Sequence, residues 1–181
     1  SLSKIAENDK DIFLITGDLG FGVLDNFAEK FPSQFLNVGV AEQNMTGIAT
    51  GLALSGYKVF TYSIANFTTL RCLEQIRNDA SYHDINLTVV ASGGGFTYGG
   101  LGMSHHATED IAIMRALPGV NVVSPSTAWE TYEATESLSK DEGVSYLRIE
   151  KGGIQDPPSP DTKFQVGKAI RMTSGKDLTL M

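Results

Sequence analysis

Cysteine is nearly missing from this chain: Cys72 stands alone among 181 residues. An intrachain disulfide and any multi-cysteine metal centre are thereby excluded, and the lone thiol reads most simply as a buried structural residue. The scarcity fits a reducing compartment, so a cytoplasmic location is expected. Basic residues are also in short supply, with 14 Lys and Arg against 21 Asp and Glu and a formal charge of -7. A chain without a basic face is a poor partner for nucleic acid, whose phosphates dominate binding. No apolar run approaches the roughly 18 residues of a membrane-spanning helix, so no membrane association is expected. An anionic small molecule can still be held locally.

Histidine is scarce too, with three in the chain. The adjacent pair His105-His106 cannot ligate one metal from a regular strand, where neighbouring side chains point to opposite faces, and no zinc site is expected. Phosphate-binding signatures are missing. There is no G-x-x-x-x-G-K-[ST], and both glycine-rich loops fail the dinucleotide spacing. Asp25 and Tyr98 stand where the third glycine of G-x-G-x-x-G is required in the runs that open at Gly20 and Gly93.

What is present is a regular alternation of apolar runs and helical patterns. Strands are expected over residues 11–16, 34–37, 58–62, 87–91, 120–123 and 144–149. Helices are expected over 24–31, 41–55, 67–83, 108–117 and 127–140, with Pro118-Gly119 closing the fourth and Ser126 or Thr127 capping the fifth. Strands that alternate with helices imply an α/β fold, a doubly wound, mostly parallel, Rossmann-like sheet with helices on both faces. One domain is expected over residues 1–152, a proline-rich linker over 153–166 around Pro157-Pro158-Ser159-Pro160, and the start of a second domain over 167–181. The opening Ser1-Leu2-Ser3 carries neither an initiator methionine nor a signal-peptide pattern, so a trimmed fragment is expected.

The stretch Gly39-Val40-Ala41-Glu42-Gln43-Asn44-Met45-Thr46-Gly47 places a carboxylate where a strand gives way to a helix of small residues. Open α/β sheets bind ligands at such strand ends. Glu42 is therefore the first candidate for chemistry, although an acid in the first turn also complements the helix dipole with no chemistry at all. The glycine-rich segment 92–106, bearing Tyr98, His105 and His106, reads as a mobile loop of the kind that closes over a substrate. In a doubly wound sheet, His105 falls on the same sheet edge as Glu42.

Taken in order, Gly39 to Met45, Phe67, Glu74-Gln75-Ile76-Arg77-Asn78, Ser104-His105-His106 and Val122-Val123-Ser124-Pro125-Ser126 resemble the pyrimidine-binding domain of transketolases over roughly residues 10–152. The restart at Gly167-Lys168-Ala169 resembles the entry to that family's C-terminal domain, and the whole resembles the C-terminal subunit of a split transketolase. Similar domains occur in 1-deoxyxylulose-5-phosphate synthase and in the beta subunits of 2-oxoacid dehydrogenases. The resemblance implies thiamin diphosphate as cofactor and transfer of a two-carbon ketol unit from a ketose phosphate to an aldehyde.

By the same resemblance, Glu42 bonds the ring nitrogen of the cofactor's aminopyrimidine and favours its imino tautomer by exchanging a proton, a general acid–base role. Phe67 stacks on that ring, Asp18 borders the thiazolium, and Arg71 lines the same cleft or forms a helix-surface ion pair. His105, with His106 beside it, hydrogen-bonds substrate oxygens and moves protons. The chain departs from sugar-phosphate transketolases in three places: Leu101 replaces an acid, His106 a glutamine and Leu70 an aromatic. A lost acid leaves a sugar hydroxyl without its partner and alters the preferred acceptor.

No Gly-Asp-Gly element with a following Asn is present to hold the diphosphate and its Mg2+. The resemblance therefore implies a diphosphate-binding N-terminal subunit or domain as partner, in a homodimer or heterotetramer, and an isolated fragment that is inactive. A synthase-like or 2-oxoacid dehydrogenase-like carboligation or decarboxylation remains open. So does a non-catalytic interaction module, against which the intact Glu42, Phe67 and His105 argue.

Overall fold

The protein is described from a computed structural model covering residues 1–150 and 162–178. Among these residues six strands form one sheet: β1 (Ile12–Thr16), β2 (Phe35–Asn37), β3 (Lys58–Ile64), β4 (Leu87–Ser92), β5 (Val120–Val123) and β6 (Val144–Ile149). All pairings are parallel and the order is β2-β1-β3-β4-β6-β5. The doubly wound α/β reading of the sequence is thus borne out. The helices are α1 (Leu2–Asn8), α2 (Asp25–Lys30), α3 (Glu42–Leu54), α4 (Ala65–Thr69), α5 (Leu73–Gln75), α6 (Asp110–Ala116) and α7 (Ala128–Leu138).

Alternation along the strands sorts apolar side chains to two faces. Ile12, Leu14, Phe60, Val90 and Leu147 pack with Ala6 of α1, Phe27 of α2 and Ala134 and Leu138 of α7. Ile15, Val59, Leu87, Val89 and Tyr146 pack on the other face with Met45 and Ala49 of α3 and Met114 of α6. Because both faces are covered, every residue of β4 is buried. Each large apolar side chain so buried stabilises the fold by about 1.5–3 kcal/mol.

The expected helix over 67–83 is broken. Thr68 and Thr69 turn their hydroxyls back onto the Ala65 carbonyl at 3.2 and 2.7 Å, and the Cys72 thiol donates to the Phe67 carbonyl at 3.2 Å. Such side-chain bonds compete with the backbone ladder, and α4 ends at Thr69. The chain resumes in α5 and then widens into a π-turn over Ile76–Ser81, which keeps Ile76 and Ala80 in the core. Hydrophobic periodicity over one turn does not separate these states from a regular helix. Helix α1 was too short for a periodic signal and carries no cap bond from Ser1.

Much of the expected linker falls on residues 151–161, and the last of the expected second-domain start on 179–181, both outside the described residues. Over 162–178 no helix or strand forms, and Phe164 packs edge-on to Trp129 with ring centroids 6.2 Å apart.

Of the two candidate caps for α7, the structure selects Thr127, whose Oγ1 accepts from the Glu130 N–H at 3.0 Å. Glu130 reaches back to accept from the Ser126 N–H at 2.7 Å, a reciprocal box displaced by one residue. Thr127→Ala is expected to lower the unfolding free energy by about 1 kcal/mol, read from the urea midpoint at constant slope.

Candidate active site

From β1 the chain runs out to the edge strand β2 and then crosses back past β1 to β3. The segments after β1 and β3 therefore diverge, opening the crevice in which open α/β sheets hold ligands. The expected residues gather at this edge. Asp18 follows β1, Glu42 heads α3 after β2, Phe67 lies in α4 after β3, and His105 lies in the loop after β4.

Asn37, the last residue of β2, clamps two of these segments. Its Oδ1 accepts from the backbone N–H of Asp18 and of Gly39, both at 3.0 Å, and its Nδ2 donates to Asp18 Oδ1 at 3.2 Å. Asp18 takes φ +57°, a left-handed conformation that Asp tolerates better than most residues. Gly17 lets Glu42 lie against the end of β1: a Cβ there would sit 3.3 Å from Glu42 Cγ.

Glu42 is 1% exposed. Its Oε2 accepts from Arg71 Nη1 at 2.7 Å, while Oε1 is buried without a hydrogen-bond partner among the described residues. The Arg71 guanidinium in turn lies 4.3 Å from the centroid of the Phe67 ring, within cation–π range. Phe67 meets His105 edge-on, with centroids 5.0 Å apart, and Tyr98 flanks the same histidine at 6.1 Å. Glu42, Arg71, Phe67 and His105 therefore form one continuous line of contacts. Asp18 stands beside it, tied to Asn37. His106 is turned into its own loop, with Nε2 2.9 Å from the Gly99 carbonyl and its ring edge-on to Phe96.

Three groups that sequence reasoning passed over position these residues. Asn37 is one. Asn66 donates to the carbonyls of Met103 and Ser104 at 3.3 and 3.0 Å, which holds the histidine loop against α4. At the loop's base Gly95 and Ala107 pair as an antiparallel bridge, so the expected mobile segment is tied at its root. Below this bridge is a buried polar group. Tyr146 OH donates to Asp110 Oδ2 at 2.7 Å, and Arg148 Nε lies 3.5 Å from that oxygen and 3.0 Å from Glu150 Oε1. Glu150 Oε2 accepts from the Gly94 N–H and from Thr97 Oγ1 at 3.2 and 3.0 Å. Burial pushes the Tyr146 phenol well up, reinforced by the Asp110 carboxylate, so it stays a donor. Asn37 at the end of β2 and Asn66 in the first turn of α4, both polar beside apolar runs, were the available signal; Asp110 and Arg148 carry none without the fold.

Cys72, the lone thiol, is fully buried with its Sγ 3.2 Å from the Phe67 carbonyl, and burial pushes it up to about 11. It is a core residue, as expected. Among the described residues no three His, Cys, Asp or Glu side chains group to hold a metal ion, and no helix is long and apolar enough to cross a membrane.

Residues 1–156 match the family described as transketolase, pyrimidine binding domain. One subunit of an apulose-4-phosphate transketolase from Phocaeicola vulgatus is 38% identical over the whole chain, which spans 59% of that protein. A protein of Methanocaldococcus jannaschii named as a putative transketolase C-terminal section is 35% identical, again over the whole chain and 58% of the relative. Among solved structures, a split-gene transketolase described as an inactive beta4 tetramer superposes with a TM-score of 0.81 at 33% identity. That superposition covers 92% of this chain and 54% of that one.

The loop anchor makes a sharp demand on Gly94, where a Cβ would lie 1.7 Å from Arg148 Nε. Gly94→Ala is expected to push the Arg148 guanidinium off Asp110 and Glu150 and so to destabilise the chain by about 1–3 kcal/mol, measured by chemical denaturation. A loss under about 0.5 kcal/mol, the range of an ordinary surface change, would show that Arg148 does not hold the loop.

Proposed function

The chain belongs to the transketolase family as one of its pyrimidine-binding domains, and from that premise we propose that it builds half of a ketol-transferring active site. In this reading the enzyme moves a two-carbon unit from a ketose phosphate donor to an aldehyde acceptor. The observation that carries it is Glu42 Oε1, a buried carboxylate oxygen with no partner among the described residues, set beside the half-buried ring of Phe67. Leaving such an acceptor unmet costs about 1–3 kcal/mol. The aminopyrimidine half of thiamin diphosphate fits both residues, as a hydrogen-bond partner for the carboxyl and a flat ring for the aromatic face.

When bound, that cofactor supplies the electron sink through which a carbon–carbon bond next to a carbonyl breaks and re-forms. The rest falls to this chain. Glu42 exchanges a proton with a ring nitrogen from a site that excludes water. Phe67 provides the stacking face, Arg71 lines the same cleft, and Asp18 borders the far end. His105 has Nδ1 3.0 Å from the Ser104 hydroxyl, which leaves Nε2 to hydrogen-bond substrate oxygens. His106, bonded to Gly99, shapes the loop that presents its neighbour.

The diphosphate and its Mg2+ are assigned to a partner subunit or domain, in a homodimer or heterotetramer. The surface around the site supports this: Phe21, Val23, Val40, Phe96, Leu101 and Met103 are all more than half exposed on the loops that surround it. Large apolar side chains left exposed around a site in this number suit a surface that another chain covers. The related split-gene protein, described as inactive when it assembles as a beta4 tetramer, agrees with a site that one type of chain leaves incomplete.

Calorimetry with thiamin diphosphate and Mg2+ tests the reading, on the full-length subunit alone and then mixed with its diphosphate-binding partner. Binding is expected in the mixture only, and Glu42→Ala there is expected to lower kcat for ketol transfer by about 10^2–10^4-fold, the worth of a general acid–base. Full turnover by Glu42→Ala, or a mixture that never binds the cofactor, would overturn it.

A further inference from the structure

Arg71 touches both of the groups that an aminopyrimidine needs. Its guanidinium stands 4.3 Å from the Phe67 ring centroid and donates to Glu42 Oε2 at 2.7 Å. We propose that Arg71 is an internal stand-in for the cofactor's ring, which holds the empty site together and must leave Glu42 when the cofactor binds. The inference rests on the proposed function, because it takes Glu42 and Phe67 as the pyrimidine's partners.

Three features of the pair support displacement rather than coexistence. A guanidinium is flat, delocalised and rich in N–H, so it stacks on an aromatic face and donates along its edge much as an aminopyrimidine does. The two ligands nevertheless make opposite demands on the carboxyl. Arginine only donates and so holds the carboxyl as an ionised acceptor, whereas a neutral ring nitrogen accepts and requires the carboxyl to carry a proton to donate. The contact is also single, with Nη1 on Oε2 alone while Oε1 goes without a partner. Such an arrangement falls short of the bidentate fork that would lock the pair.

The asymmetry of burial decides which partner moves. The Glu42 side chain is 1% exposed and that of Arg71 43%. Arg71 also sits in the break between α4 and α5, outside either helix, so its side chain can swing to solvent without unwinding an element. Retaining an arginine here has a physical reason in the empty protein, since a buried carboxylate with nothing opposite it strongly destabilises a fold. Cofactor binding then exchanges one partner of Glu42 for another.

The test uses the full-length subunit assembled with its diphosphate-binding partner, with thiamin diphosphate and Mg2+ as the probe, read by calorimetry and by thermal unfolding. Arg71→Ala is expected to lower the midpoint of the cofactor-free assembly, to bind the cofactor about tenfold more tightly than wild type, and to gain more on loading. The tenfold follows from removing one competing charge-assisted hydrogen bond. Arg71→Gln, which keeps a neutral donor near Glu42, is expected to fall between the two and serves where Arg71→Ala does not fold. Unchanged or weaker binding in these variants would overturn the inference and make Arg71 a cofactor-holding residue. An assembly that binds no cofactor even as wild type would instead overturn the proposed function on which it rests.

Discussion

A carboxylate at the head of α3, 1% exposed and satisfied at one oxygen only, is the constraint on which the rest of the site depends. Burying such a group is unfavourable unless something faces it, and several neighbouring features read as consequences. Gly17 gives up its side chain so that Glu42 can lie against β1. Asn37 fixes the backbone that leads into α3 from both β1 and β2. Arg71 reaches across from the break after α4 to supply the missing charge. The core needs none of this, and helix α3 packs through Met45 and Ala49 regardless.

The second half of the site is held by a different device. His105 stands on a loop that ordinary loop physics would leave free, yet its root is closed by the Gly95–Ala107 bridge and braced from below by Asp110, Tyr146, Arg148 and Glu150. Its shoulder is held by Asn66. The histidine is thus held against Phe67 by backbone pairing and polar contacts made outside its own side chain. A rigid root with an exposed apolar tip at Phe96, Leu101 and Met103 suits a loop that a second chain finishes covering.

The layering of this fold was legible in the sequence because strand and helix periods differ and each run was bounded by glycine, proline or a cap. Glu42, Phe67 and His105 were legible as a set only through the resemblance. Taken singly, each had an ordinary structural explanation. The break after Thr69 was not legible, since it arises from hydroxyls bonding back to the Ala65 carbonyl, a choice that leaves no mark on hydrophobic spacing. Nor was the Asp110–Arg148 brace, whose members lie far apart in the chain and meet only once β6 is laid beside β4. Arg71 shows the limit most plainly: the sequence placed it near the cleft, and only the structure shows it on both Glu42 and Phe67.

The claim at the centre of this account is that Glu42 handles a proton for a bound aminopyrimidine. It is tested most directly by the rate at which the thiazolium C2 proton of thiamin diphosphate exchanges with D2O on the assembled protein, followed by NMR after rapid acid quench. Exchange is expected to be far faster than for the free cofactor, and to return toward the free rate in Glu42→Ala at saturating cofactor. Exchange that is equally fast in Glu42→Ala would contradict it.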